Sequence, residues 1–181
     1  MSLRNNAERY GYVAVVLHWL SAVVLLGLFG LGLWMVGLDY YHPWYHQSPW
    51  WHRSFGVLVA VLMLLRLMFR CCDQQPKTLL SISRFEQVSA TVTHLALYLV
   101  VFAVVISGYL MSTADGQAVT VFNWFELPAL NNRINNQEDI AGDIHQYLAW
   151  VMMVLACLHA LAAVKHHFVD KDRTLLKMLG R

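Results

Sequence analysis

The distribution of charge constrains this chain more than any other feature. No Asp, Glu, Lys or Arg occurs in residues 10–38, 87–114 or 144–164. Each stretch is long enough for the ~20 residues that cross a ~30 Å hydrocarbon layer as helix. A weaker segment runs from Trp50 to Phe69, with Arg53 near its start and Arg66 near its end, both placed to snorkel to an interface. A spanning backbone has to satisfy its own hydrogen bonds. The expected fold is therefore all-α: a four-helix transmembrane bundle with helices at roughly 10–37, 50–70, 87–112 and 144–167, forming a single membrane domain over 1–181. The rival, a soluble bundle of buried helices, sits poorly with 13% charged residues, since soluble domains carry ~25%. A net charge of only +2 also argues against nucleic acid as a partner. The first segment is too long for the ~7–15-residue apolar region of a secretory signal, and no A-x-A site follows it.

Lys and Arg set the expected orientation. With the N-terminus inside, the inner segments hold Arg4, Arg9, Arg66, Arg70, Lys77, Arg84, Lys165, Lys171, Arg173, Lys177 and Arg181, whereas the outer ones hold only Arg53 and Arg133. This positive-inside bias places both termini in the cytoplasm, and the membrane is read as a bacterial inner membrane. The outer connection 39–51 (DYYHPWYHQSPWW) is an aromatic belt suited to a headgroup interface. Residues 112–143, with Asn131-Asn132 and Asn135-Asn136, form a long polar loop, read as a lid or a docking surface. Cys71, Cys72 and Cys157 suggest no disulfide framework, and there is no C-x-x-C-H motif for covalent haem.

An ionisable side chain inside a membrane helix is costly and points to function. His18, His52, His94, His145 and His159 lie in or at the edge of the expected helices. His145 and His159 are 14 residues apart, 40° short of four turns, so they share a helix face at ~21 Å along the axis. That separation excludes one shared metal ion and suits two cofactors stacked across the membrane. Depth pairs the remaining histidines. His18 on the ascending first helix lies level with His159, and His52 at the outer start of the second lies level with His145. Two imidazoles facing each other at each depth are the donor set for bis-His ligation of two non-covalent b haems. Zinc is the competing reading, but it wants about four close ligands, and no H-x-x-H or Cys-His cluster supplies them.

Cations near these pairs are candidates for haem propionates: Arg53 beside the outer pair, and Arg66, Arg9 and Lys165 on the inner side. Ordinary snorkelling explains each equally well. His94 is read as a donor to a haem propionate or as part of a quinone pocket rather than as a ligand. His166 and His167, after Lys165, are candidates for proton relay at a quinone site on the inner side. His42 and His46 are read as surface residues of the aromatic loop. No catalytic side chain is assigned.

Several stretches are similar to the small bacterial cytochrome b561 family: L-H-W-L from Leu17, W-H-R-S-F-G around His52, L-L-R-L-M-F-R up to Arg70, T-H-L-A-L-Y-L around His94, and I-H at His145. The run from His159, with K-H-H-F-x-x-K-D-x-T-L inside it, is the most specific. The resemblance implies two b haems with His18, His52, His145 and His159 as axial ligands, and electron exchange with the quinone pool. One resembling member type passes electrons from superoxide to ubiquinone. Wider relatives are membrane-anchor cytochrome subunits, which leaves an electron conduit for a periplasmic redox protein as the alternative. The outer segments carry Asp39, Asp115, Glu126, Glu138, Asp139 and Asp143 against Arg53 and Arg133, a field that repels an anionic donor at long range. A non-redox reading, a His-lined metal transporter, lacks intramembrane carboxylates.

Overall fold

A computed structural model describes residues 2–77, 82–130 and 135–180. Asn131, Asn132, Arg133 and Arg181 lie outside the described residues. Four long helices carry the structure: α1 (Tyr12–Val36), α2 (Gln47–Cys72), α3 (Arg84–Ser112) and α4 (Gln137–Phe168). All four are long and apolar enough to cross a membrane. The shortest has 25 residues, which at 1.5 Å per residue exceeds a ~30 Å hydrocarbon layer. Large apolar side chains such as Val23, Leu99 and Leu161 point outward and are more than half exposed, the surface expected of a bundle whose exterior solvent is lipid.

The helix ends follow from local chemistry. α3 opens on a capping box: the Ser83 hydroxyl accepts the Glu86 N–H at 3.3 Å, and the Glu86 carboxylate accepts the Ser83 N–H at 3.0 Å. α4 begins at Gln137, ahead of the charge-free stretch. Glu138 and Asp139 occupy its first turn, and Lys165, His166 and His167 its last, both signs favourable to the helix dipole. α2 takes up Gln47, Ser48 and Pro49, since a proline in the first turn has no intrahelical N–H to lose.

The chain ends meet at one end of the bundle, here termed the terminal end. The Lys77 N–H donates to the Ala7 carbonyl at 2.9 Å, and the Trp19 indole donates to the Met178 carbonyl at 2.8 Å. Met178 closes α5 (Thr174–Met178). The N-terminal segment folds back so tightly that a Cβ at Gly11 would lie 2.4 Å from the Arg4 carbonyl carbon, which only glycine permits. Cys71 and Cys72 end α2, exposed and unbridged like Cys157.

At the opposite, loop end the structure adds strands to the expected all-helical chain. β1 (Val119–Val121) and β2 (Phe125–Leu127) pair antiparallel, Val119 opposite Leu127. Phe122 and Asn123 in the turn have φ of 46° and 58°. Asn tolerates this left-handed geometry; phenylalanine does so at a cost. Packing explains why it persists. The Phe122 ring sits 5.2 Å from Phe55 and 5.8 Å from Trp51, and its N–H donates to the Ser54 hydroxyl of α2 at 3.2 Å. The hairpin is thus docked on the start of α2, with Val119 and Val121 buried beneath it.

Candidate functional site

The bundle interior is apolar at mid-depth. Val59, Met63, Val101 and Met152 form its buried centre, with Leu25, Leu28 and Phe102 around them. On either side of this layer lies a pair of histidines from different helices.

At the loop end, the rings of His52 on α2 and His145 on α4 have centroids 6.1 Å apart at 77°. His145 Nδ1 lies 2.9 Å from the Val104 carbonyl of α3. A carbonyl only accepts, so Nδ1 carries the proton and Nε2 keeps a free lone pair. The Ser107 hydroxyl stands 3.4 Å from the same nitrogen. The ring is seated against Gly108, where a Cβ would come within 2.9 Å of its Cε1. His52 rests against Gly32 of α1, with 3.4 Å between Cε1 and a Cβ placed there, and its buried Nδ1 has no hydrogen-bond partner among the described residues.

At the terminal end, His18 on α1 and His159 on α4 have centroids 6.2 Å apart at 59°. The surroundings are polar. Arg66 Nη2 donates to His18 Nδ1 at 2.7 Å, and Nη1 reaches the Ser21 hydroxyl at 3.5 Å. The Arg66 guanidinium lies 5.6 Å from the centre of the Tyr98 ring. His94 of α3 packs against His159 at 5.1 Å, beside the pair. Ser21 is fully buried and donates to the Leu17 carbonyl.

The other candidate residues divide. Arg53 is exposed, and its Nε donates to the Pro49 carbonyl of its own helix at 3.3 Å. His42 and His46 pack edge-on against Trp34 and Tyr45 in the aromatic loop. Lys165 bridges Glu86 at 2.5 Å and Asp170 at 2.9 Å. His166 Nδ1 faces Asp172 at 2.7 Å and Asp170 at 3.1 Å. His167 lies edge-on to Phe168. His166 is seven residues beyond His159, 20° short of two turns, so it shares the His145–His159 face ~10 Å nearer the terminal end.

Residues 9–181 match the family described as prokaryotic cytochrome b561. The chain belongs to this family. It is 48% identical to cytochrome b561 homolog 2 of Escherichia coli K12 over 181 residues, covering 100% of this chain and 96% of the relative. It is 28% identical to a probable superoxide oxidase, CybB, of Yersinia pestis over 175 residues, 96% and 97% of the two chains. Cytochrome b561 homolog 1 of Escherichia coli K12 is 28% identical over 132 residues, 72% and 73% of the two chains. Together with the four spanning helices, membership makes this a bacterial membrane protein of electron transfer, of a family that binds b-type haem.

The residues present fit that group. Two imidazoles bound on opposite sides of one metal at ~2 Å each bring their ring centroids to roughly 6 Å, and both pairs stand at this separation. At the loop-end pair, the Val104 carbonyl fixes Nδ1 of His145 and leaves Nε2 free, as a ligating histidine would require, and Gly108 makes room for the ring. Val104, Gly108, Ser107, Ser21, Tyr98, Asp170 and Asp172 were not marked as site residues by sequence reasoning. Asp172 had a signal, its place in K-H-H-F-x-x-K-D. The carbonyl of Val104 had none, because a backbone acceptor leaves no trace in residue identity.

Proposed function

We propose that this protein is a di-haem transmembrane electron carrier that moves electrons from the outer face to the inner face and delivers them to quinone. The reading rests on one observation above all: two histidine pairs at ring separations of 6.1 and 6.2 Å, set ~21 Å apart along α4. His52 and His145 would hold the outer haem, and His18 and His159 the inner one. When bound, b haem would supply one-electron transfer at each pair. Residues of this chain do the rest. The Val104 carbonyl orients His145; Val59, Met63, Val101 and Met152 exclude water between the sites; Arg66 places a cation at the inner pair, within reach of a propionate. The terminal end is taken as cytoplasmic, following the Lys and Arg bias, in an inner membrane. His166, Lys165 and His167 stand at the inner end of α4, where a ubiquinone headgroup would be protonated.

Superoxide is the proposed donor, by likeness to the relative named a probable superoxide oxidase. The alternative, a conduit for a periplasmic redox protein, is favoured by Asp39, Asp115, Glu126, Glu138, Asp139 and Asp143 on the outer segments, which repel an anion. Haem quantitation on the purified protein tests the scaffold: two b haems per chain are expected, and fewer than two rejects it. Quinone-dependent superoxide consumption tests the donor; a rate equal to spontaneous dismutation leaves the conduit reading.

A further inference from the structure

Beyond the end of α4 the chain reverses at Lys171, whose φ of 54° is left-handed. The reversal brings Asp172 back under the last turn of the helix. Three hydrogen bonds fix it there. Its N–H donates to the His166 carbonyl at 3.0 Å, its Oδ1 accepts the Thr174 N–H at 2.7 Å, and its Oδ2 faces His166 Nδ1 at 2.7 Å. The Asp172 side chain is 7% exposed and the His166 side chain 14%. A sequestered carboxylate on Nδ1 of a histidine fixes the tautomer, leaves Nε2 for the reacting partner and stabilises the imidazolium. His166 also stands on the α4 face that carries His159.

The charged groups facing His166 are Asp170 and Asp172 after α4, Lys165 on α4 and Glu86 on α3. Glu86, His166 and Asp170 lie close enough together to hold a metal ion. The Lys165 ammonium already occupies both carboxylates, so the cluster is set for proton exchange rather than for a cation.

We propose that Asp172 is a positioning residue that holds His166 as the proton donor to the quinone oxygen, an inference that rests on the quinone reading above. Quinone takes two electrons and two protons to become hydroquinone. The electrons come singly from the one-electron donor at the outer face. For each proton, the Nε2–H bond of the His166 imidazolium breaks as an O–H bond forms on the quinone oxygen. The neutral ring then regains a proton from water at the inner surface. The carboxylate of Asp172 stays ionised throughout and compensates the ring's charge.

The test uses the haem-loaded protein, reduced with dithionite and mixed with decylubiquinone, with reoxidation followed optically from pH 5.5 to 8.5. D172N keeps the shape and the acceptor for Thr174 but turns an NH2 donor toward Nδ1. Reoxidation of D172N is expected to slow about 10- to 100-fold at the alkaline end, a typical loss of general acid catalysis, and less at the acid end. The falling limb of its profile should move to lower pH. D172E should restore part of the rate, H166Q should be slow at every pH, and the double variant should be no slower than H166Q alone. Haem content and spectrum should be unchanged in all. A D172N with the wild-type profile, a D172N loss equal at every pH, or additive effects of D172N and H166Q would overturn the proposal while leaving the quinone reading intact. A wild-type protein that does not reduce decylubiquinone at any pH would overturn both.

Discussion

His52 and His145 meet between a backbone carbonyl and two glycines, whereas His18 and His159 meet beside a guanidinium and a third histidine. The ring separations are nearly equal, so the pairs differ in what surrounds them. The His145 ring is set by the Val104 carbonyl and by the space that Gly108 leaves beside it. The His18 ring is set by Arg66, a donor only, so Nδ1 accepts and Nε2 carries the proton; holding iron through Nε2 would require that proton to leave or Nδ1 to exchange Arg66 for an acceptor. A fixed cation beside one of two redox sites stabilises the reduced state there. In the proposed reading this draws electrons from the outer site to the inner one, and the asymmetry gives the transfer its direction.

The largest expected effect breaks one pair at a time. His52→Ala or His145→Ala should each lower the haem content from two to one and spare the inner site; His18→Ala or His159→Ala should do the converse. Haem quantitation with redox titration of the remaining centre checks this. A variant of the loop-end pair that loses the inner haem instead would show the pairing to be wrong.

Arg66→Met sharpens the contrast next. At an effective dielectric near 20, a unit charge several ångströms away is worth on the order of 2 kcal/mol, or roughly 100 mV for one electron. Removing it should lower the inner midpoint potential by about that amount and leave the outer one in place. Equal shifts at both sites in a potentiometric titration would remove Arg66 as the source of direction.

The spans and the histidine pairs were legible in the sequence for physical reasons. Charge is excluded from lipid, so the gaps at 10–38, 87–114 and 144–164 mark helix. A polar residue in such a gap is expensive, so His18, His145 and His159 stand out. What was not legible depends on tertiary placement. The 119–127 hairpin holds Phe122 in a left-handed conformation because Phe55, Trp51 and Ser54 hold it there, against its local preference. Arg53 and Arg66 look alike in sequence, each near an end of α2. One is exposed against its own helix and the other is turned inward to His18, a choice made by which face of α2 meets α1.

Smaller effects separate the two glycines of the loop-end pair. Gly108→Ala puts a Cβ 2.9 Å from His145 Cε1, a clash that the ring has to relieve by shifting, at about 1–3 kcal/mol for overpacking. Gly32→Ala meets His52 at 3.4 Å, near ordinary contact. Outer haem affinity, read by competition with apomyoglobin, should fall clearly for the first and little for the second. Equal losses would mean that the two rings are not seated on these glycines as described.

The smallest effect lies beyond the bundle, at Asp172. Burial raises its pKa, but hydrogen bonding from Thr174 and His166 outweighs burial and leaves the value below the ordinary 3.8. A carboxyl whose folded pKa is depressed adds stability that is present above its unfolded value and lost as pH falls through the folded one. The wild-type protein in detergent should therefore lose part of its thermal stability below about pH 4. D172N should lack this contribution at neutral pH and show a correspondingly shallower acid decline, and neither trend should touch the loop-end pair. The comparison is read from Tm between pH 7 and pH 3 together with outer-haem retention. An acid decline as steep in D172N as in wild type would assign the acid lability to other carboxylates, such as Glu86, whose pKa is also depressed by hydrogen bonds from Lys165 and Ser83.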